Sequence, residues 1–171
     1  MTIEFIKGNL LDAFAKGEVD IILHVVNCQS IMGSGIAKQI KDRYPVVFEK
    51  YLNLSAVAAK SWPLGILGTA QRIDLLLEWG SDKSIFPHGK TVVNLFAQDK
   101  FGMDKRHLNY GALGQTLYAL VDEHQETYIP DYRKIGLPFK MGSDRAGGSW
   151  EIVLEMIEFF FRGYEVKIYQ L

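Results

Sequence analysis

A single cysteine, Cys28, stands among 171 residues, so the chain has no internal disulfide and no cysteine-built zinc site. His88, His107 and His124 have no metal-ligand spacing, and neither a metal nor a cofactor is expected. No apolar run approaches the ~20 residues that span a bilayer. Met1-Thr2-Ile3-Glu4 does not open a signal peptide, so the cytoplasm is the expected compartment and no membrane partner is expected. Neither sign of charge dominates. A formal net charge of −1 argues against a general nucleic-acid binder, which would show a basic excess, while leaving room for a local basic patch. No repeat, low-complexity tract or compositional break marks a linker, so residues 1–171 read as one domain and as a monomer. What the chain does have is apolar mass: 48% of its residues, enough to fill a core without staples.

Strand and helix patterns alternate along it. Ile3 to Ile6 reads as a strand, and Leu10 to Lys16 as a short helix with Asn9 as N-cap. Asp20 to Asn27 is a nearly continuous, β-branched apolar run, which suits a strand buried on both faces. Gly35 to Arg43 predicts a helix that stops before Pro45, and Val46 to Leu54 a second. Gly68 to Leu77 and Thr91 to Gln98 read as strands, with turn chemistry between them at Gly80-Ser81-Asp82 and Pro87-His88-Gly89 that predicts a hairpin or loop. A helix is predicted from about Leu108 to Gln125, its inward face carrying Leu113, Leu117, Leu120, Val121 and His124. Ile135 to Met141 reads as a strand. Ser149 caps a helix from Trp150 to Phe161 with Val153, Met156, Ile157 and Phe160 inward, and Glu165 to Leu171 closes as a strand. The expected fold class is α/β: a three-layer α/β/α sandwich around a mixed, centrally parallel sheet of about six strands.

Two segments concentrate small residues between a buried strand and a helix: Asn27 to Ala37 and Gly142 to Trp150. Ligands of α/β sheets sit at the carboxyl ends of strands, where such loops collect. Glycine brings backbone N–H groups against a ligand, and a helix N-terminus favours an anion. Either loop alone also fits an ordinary tight turn. Gly33-Ser34-Gly35 lacks the third glycine of the dinucleotide fingerprint, and the Gly-Lys-Ser/Thr end of a P-loop is absent. Spacing alone therefore points to an anionic, nucleotide-like ligand and goes no further.

Val26-Asn27-Cys28-Gln29 followed by Met32-Gly33-Ser34-Gly35-Ile36-Ala37 resembles the first ligand loop of macro domains, which are ADP-ribose-binding α/β/α modules. Gly136-Leu137-Pro138, then Gly142-Ser143-Asp144-Arg145 and Trp150-Glu151, resembles their second loop. Ile168-Tyr169-Gln170-Leu171 resembles their closing strand, and Lys7-Gly8-Asn9-Leu10-Leu11 stands where the family has Gly-Asp followed by apolar residues. Within the family the chain is similar to two branches. One comprises ADP-ribose 1″-phosphate phosphatases, phage-like members included; the other comprises glycohydrolases that remove terminal ADP-ribose from glutamate.

The resemblance implies a ligand-binding set of Asn9, Leu10, Asn27, Gln29, Met32, Gly33, Ser34, Gly35 and Ile36 on one side. On the other it implies Pro138, Gly142, Ser143, Arg145, Ala146 and Gly147, with Tyr169 packing on adenine. Asn9 replaces an aspartate that accepts from the adenine amino group; an amide oxygen can also accept, and a plain helix cap is the alternative. An aromatic in a closing strand is also commonly core, which is the alternative for Tyr169. Asp144 takes the place of an acid/base carboxylate at the distal ribose, against the plainer reading of a loop aspartate bonded to its own backbone. The glycohydrolase lysine has no exact counterpart: in Asn94 to Lys100 a direct register puts Gln98 or Asp99 there, and Lys100 is the nearest candidate. Alternation puts Cys28 and His24 on one face but two pleats apart, so Cys28 reads as packing or loop lining rather than as a nucleophile. The implied partners are ADP-ribose, or a protein or small molecule that carries it. The implied activity is hydrolysis of ADP-ribose 1″-phosphate or of carboxylate-linked ADP-ribose, with a non-catalytic reader as the alternative. Single-stranded nucleic acid or poly(ADP-ribose) is a third reading, which lacks the usual basic and aromatic groove.

Overall fold

In a computed structural model the described residues are 2–61, 65–75 and 89–171, and the side chains of Ala59 and Ser61 are left aside. In chain order the elements are β1 (Thr2–Lys7), α1 (Leu10–Lys16), β2 (Ile21–Asn27), α2 (Gly35–Arg43), α3 (Pro45–Ser61) and β3 (Ala70–Leu75). They continue with β4 (Lys90–Gln98), α4 (Tyr110–Val121), β5 (Lys134–Pro138), α5 (Trp150–Phe160) and β6 (Glu165–Gln170). One six-stranded sheet runs β1-β6-β5-β2-β4-β3, parallel except for β3, which pairs antiparallel to β4.

The alternating strand pattern separates two cores. Ile21 and Leu23 of β2, Val93 and Leu95 of β4, and Val166 and Ile168 of β6 face α4 and α5, where Leu113, Leu117, Val153 and Ile157 are fully buried. Ile22, Val92 and Tyr169 face α1 and α2, and Val26 and Phe96 pack with Tyr51 of α3. The result is the expected three-layer sandwich, with α1, α2 and α3 on one side and α4 and α5 on the other.

Several sequence-based boundaries move, each for a local reason. Pro45 ends α2 and starts α3 at the first helical position, where its missing N–H costs nothing, and α3 then runs on to Ser61. The helix expected from Leu108 begins at Tyr110, because the Asn109 side chain accepts from Ala112 N and Leu108 is held in a bridge to Gln98. It ends at Val121, where Asp122 is extended, so His124 is exposed rather than inward and Val121 is half-buried. β5 stops at Pro138, and residues 139–141 turn instead. At the end of α5 the fully buried aromatic is Phe161, just past the helix, while Phe160 is half-buried. The expected hairpin or loop at Gly80-Ser81-Asp82 and Pro87-His88 lies outside the described residues. No described helix is long and apolar enough to cross a membrane.

One feature of the sheet makes room for a site. β2 pairs with β5 only through Ile21 with Ile135 and Ile22 with Gly136, so the two central strands part toward their carboxyl ends. The loops after β5, β2 and β4 therefore rise side by side around a gap.

Candidate functional site

That gap is a cleft of about 470 Å³, within the usual range for small-ligand sites. Val25 and Val26 line its base, where β2 leaves β5.

Asn27 organises the first loop. Its side-chain oxygen accepts from Gln29 N at 2.9 Å and Ile31 N at 3.3 Å, and its amide donates to the Ile31 carbonyl at 2.7 Å. The buried Tyr51 hydroxyl lies 2.7 Å from the Asn27 carbonyl and accepts from Ile31 N at 3.0 Å. Asn27 lines the cleft, yet its polar atoms are spent on shaping the turn. Met32 is buried beneath the loop in the core with Tyr51 and Phe96, outside the cleft lining. Gly33, Ser34, Gly35 and Ile36 do line the cleft. Ser34 precedes α2 without a capping bond from its side chain, so the first N–H groups of the helix stay open toward the cavity. Gly35 has φ +57°, a left-handed conformation that glycine adopts without strain.

The second loop faces it. Met141 N bonds to the Pro138 carbonyl at 3.2 Å and Ser143 N to the Lys140 carbonyl at 2.9 Å, and Gly148 N returns to the Gly142 carbonyl at 3.1 Å. A Cβ on Gly148 would sit 2.4 Å from Leu108 Cδ2 and 2.8 Å from the Gly142 carbonyl, so this return needs glycine. Pro138, Gly142, Asp144, Arg145 and Ala146 line the cleft. Arg145 reaches across: its Nε lies 4.0 Å from where a Cβ on Gly35 would stand, beside the open end of α2. Asp144 is exposed at the cleft wall, its backbone N–H bonded to the Lys140 carbonyl at 3.3 Å. Ser143 and Gly147 lie outside the lining; Gly147 packs instead against the backbone of Lys105 and Arg106.

A third wall comes from residues 98–108, a segment in which the sequence pointed only to Gln98, Asp99 and Lys100. His107 N and Leu108 N both bond to the Ala146 carbonyl, at 2.8 and 3.0 Å, which fastens this segment to the second loop. Phe101 N donates to the Gln29 side chain at 3.1 Å, which fastens it to the first. Gln29 thus serves as a tie between loops rather than as cleft lining. Gln98, Phe101, Gly102 and Met103 line the cleft. Lys100 does not: it is exposed, with its carbonyl accepting from the Gln98 side chain at 2.6 Å. Of the two residues that a direct register offered for the lysine position, Gln98 is the one in the cleft.

Residues from the chain ends sit beside the cleft rather than in it. The Asn9 side-chain oxygen accepts from Leu11 N at 2.8 Å and Asp12 N at 3.2 Å, so it caps α1 and has its amide N–H groups left to offer a ligand. Leu10 and Tyr169 are buried together in the core below α1 and α2, which corrects the placement of Tyr169 on a ligand face. This corner remains close to the cleft along the strand ends: Gly8 N bonds to the Gln170 carbonyl and Phe139 N to the Tyr169 carbonyl, both at 2.8 Å.

Two titratable groups near the loops are held neutral. Burial, with Asp99 nearby, pushes the Cys28 thiol up to about 11, which suits packing and not nucleophilic attack. Burial lowers His24 to about 4; its Nε2 lies 2.6 Å from the Asn94 side-chain oxygen.

No family model matches the chain. Among curated proteins it is 25% identical to ADP-ribose 1″-phosphate phosphatase of Saccharomyces cerevisiae, over 99% of this chain and 98% of that protein. It is also 25% identical to an uncharacterized 17.5 kDa protein from the tk-vs intergenic region of Enterobacteria phage T4, over 98% of this chain and 96% of that protein. The macrodomain of Thermus aquaticus DarG superposes with a TM-score of 0.71 at 23% identity, covering 99% of both chains. A Streptomyces coelicolor macrodomain protein matches at 0.71 and 22% over the same shares. Thermosipho africanus DarTG, solved in complex with ADP-ribose, matches at 0.71 and 17%, over 99% of this chain and 41% of that one. The chain has the macrodomain fold.

Proposed function

We propose that the protein binds ADP-ribose and hydrolyses an ADP-ribose derivative, either the 1″-phosphate or a carboxylate-linked ADP-ribose. The observation that carries this reading is the uncapped N-terminus of α2, open to a cleft whose opposite loop extends Arg145 over it. Converging backbone N–H groups, a helix dipole and a guanidinium suit a diphosphate. The relatives named above support the choice of ligand. In this pose the nucleoside lies toward Phe139 and the Asn9 corner, and the distal ribose lies toward Asp144 and the loop after β4.

Hydrolysis at the distal ribose breaks the bond from C1″ to the carried oxygen. The electron pair leaves with the carboxylate or phosphate, water supplies the new C1″ hydroxyl, and Asp144 receives the proton that water gives up. Asp144→Ala is expected to lower turnover about 10²–10⁴-fold, with affinity for ADP-ribose changing by less than about threefold. The assay incubates the protein with ADP-ribose 1″-phosphate and with a glutamate-ADP-ribosylated protein, and reads phosphate and free ADP-ribose. A parallel fall in binding and turnover would make Asp144 a loop-holding residue. A second reading, a reader that releases ADP-ribose unchanged, is favoured by one observation: Gln98, not Lys100, lines the cleft. It predicts full binding and no product from either substrate. We further place the protein as a single-domain monomer in the cytoplasm.

A further inference from the structure

The cleft is chemically uneven along the sheet. Its lining cations, Lys140 and Arg145, come from the loop after β5. At the other end, over β4, the described lining residues are Ile31, Gln98, Phe101, Gly102 and Met103, none of which is charged. Ile31, Phe101 and Met103 are 40%, 53% and 74% exposed, so three large apolar side chains gather at one mouth of the cavity.

Their exposure is not slack. Besides the Gln29 tie to Phe101, Lys100 N bonds to the Asp99 side chain at 2.8 Å. The buried His107 ring lies 2.7 Å from Asp104 Oδ1 and 3.5 Å from Asp99 Oδ1. A segment fixed this firmly while holding apolar side chains in water gains nothing for folding from that exposure. Such patches mark contact surfaces, and one that is already ordered binds without a large ordering cost.

An uncharged mouth backed by the carboxylates of Asp99 and Asp104 is poorly suited to a phosphate dianion. The nearby cations point elsewhere: the Arg106 guanidinium lies 4.8 Å over the Tyr110 ring, and neither Lys100 nor Lys105 is among the lining residues. Resting on the ADP-ribose pose given above, we propose that this rim selects the carrier. The preferred substrate is an ADP-ribosylated carboxylate in a peptide with apolar residues beside it, which pack on Ile31, Phe101 and Met103.

Affinity is read by fluorescence anisotropy on the Asp144→Ala protein, so that turnover does not enter. The ligands are ADP-ribose, ADP-ribose 1″-phosphate, and glutamate-ADP-ribosylated peptides flanked by leucine, glycine or aspartate. The leucine-flanked peptide is expected to bind about tenfold more tightly than the glycine-flanked one, the yield of burying one or two apolar side chains. Phe101→Ala with Met103→Ala should erase the difference between leucine and glycine flanks, a ratio in which the contacts to ADP-ribose itself cancel. The single variants should each remove part of it. The proposal is overturned by equal affinity for the three peptides, by a preference for aspartate flanks, or by a tenfold gain from the 1″-phosphate alone. It is also overturned if the double variant keeps the tenfold preference for the leucine-flanked peptide. Failure to bind ADP-ribose in every form would instead overturn the function proposed above.

Discussion

The N-termini of α1 and α2 each follow a strand of the sheet, and both open with a small polar residue, Asn9 and Ser34. At α1 the Asn9 side chain takes two backbone N–H groups, whereas at α2 the Ser34 side chain takes none. α4 and α5 follow the first pattern, with Asn109 and Ser149 as caps. A helix that closes its own end serves the fold. A helix left open, over a cleft and under an arginine, has its donors available for an outside anion. The difference separates the part of the molecule that carries structure from the part that awaits a ligand.

The comparison breaks most sharply at Gly35. Gly35→Glu places bulk and negative charge at the open end, and it also puts a side chain on a backbone with φ +57°. ADP-ribose affinity is expected to fall at least ~100-fold, equivalent to about 2.7 kcal/mol, while far-UV circular dichroism stays native. Unchanged affinity in the folded variant would remove the first loop from the site.

A buried titratable group with no access to ligand should express itself in stability alone. His24 is fully buried, its Nδ1 has no hydrogen-bond partner, and burial lowers it to about 4 from an ordinary 6.5. The unfolded chain then binds the proton more readily, so stability is fully present above pH 6.5 and is lost as pH falls toward 4. Between pH 7 and pH 5 the loss is about 2 kcal/mol. Urea midpoints across that range should show it, and His24→Gln should flatten this part of the profile. A His24→Gln profile as steep as the native one would assign the loss to other groups.

Asn9→Ala removes a working cap and should cost about 1 kcal/mol, or roughly 2–4 °C in Tm. Ser34→Ala removes a side chain that caps nothing, so it should change stability by less than about 0.5 kcal/mol. Thermal unfolding of the pair tests the contrast directly. Equal losses would mean that the two helix ends are closed alike.

Much of this was legible in the chain. The bounds of α1 and α2, the caps Asn9 and Ser149, and the buried β2 run all follow from patterns within a few residues. The two glycine-bearing loops were visible for the same reason, since each joins a buried strand to a helix start. Of the third wall only Gln98 was, through the family register. Phe101-Gly102-Met103 precedes no helix N-terminus, and the bridge from Gln98 to Leu108 closes a loop that has no periodicity.

Hydrophobic period, cap residues and glycine placement are local properties, so the alternating elements and the centrally parallel sheet could be read along the chain, and the loop motifs carried the macro-domain likeness. Packing settled that Gln98 and not Lys100 enters the cleft, that Tyr169 joins the core, and that Gln29 ties two loops together. These depend on which strands become neighbours and where they part. The two-pair contact between β2 and β5 opens the cavity, and β4 on the far side of β2 brings its loop around to close it.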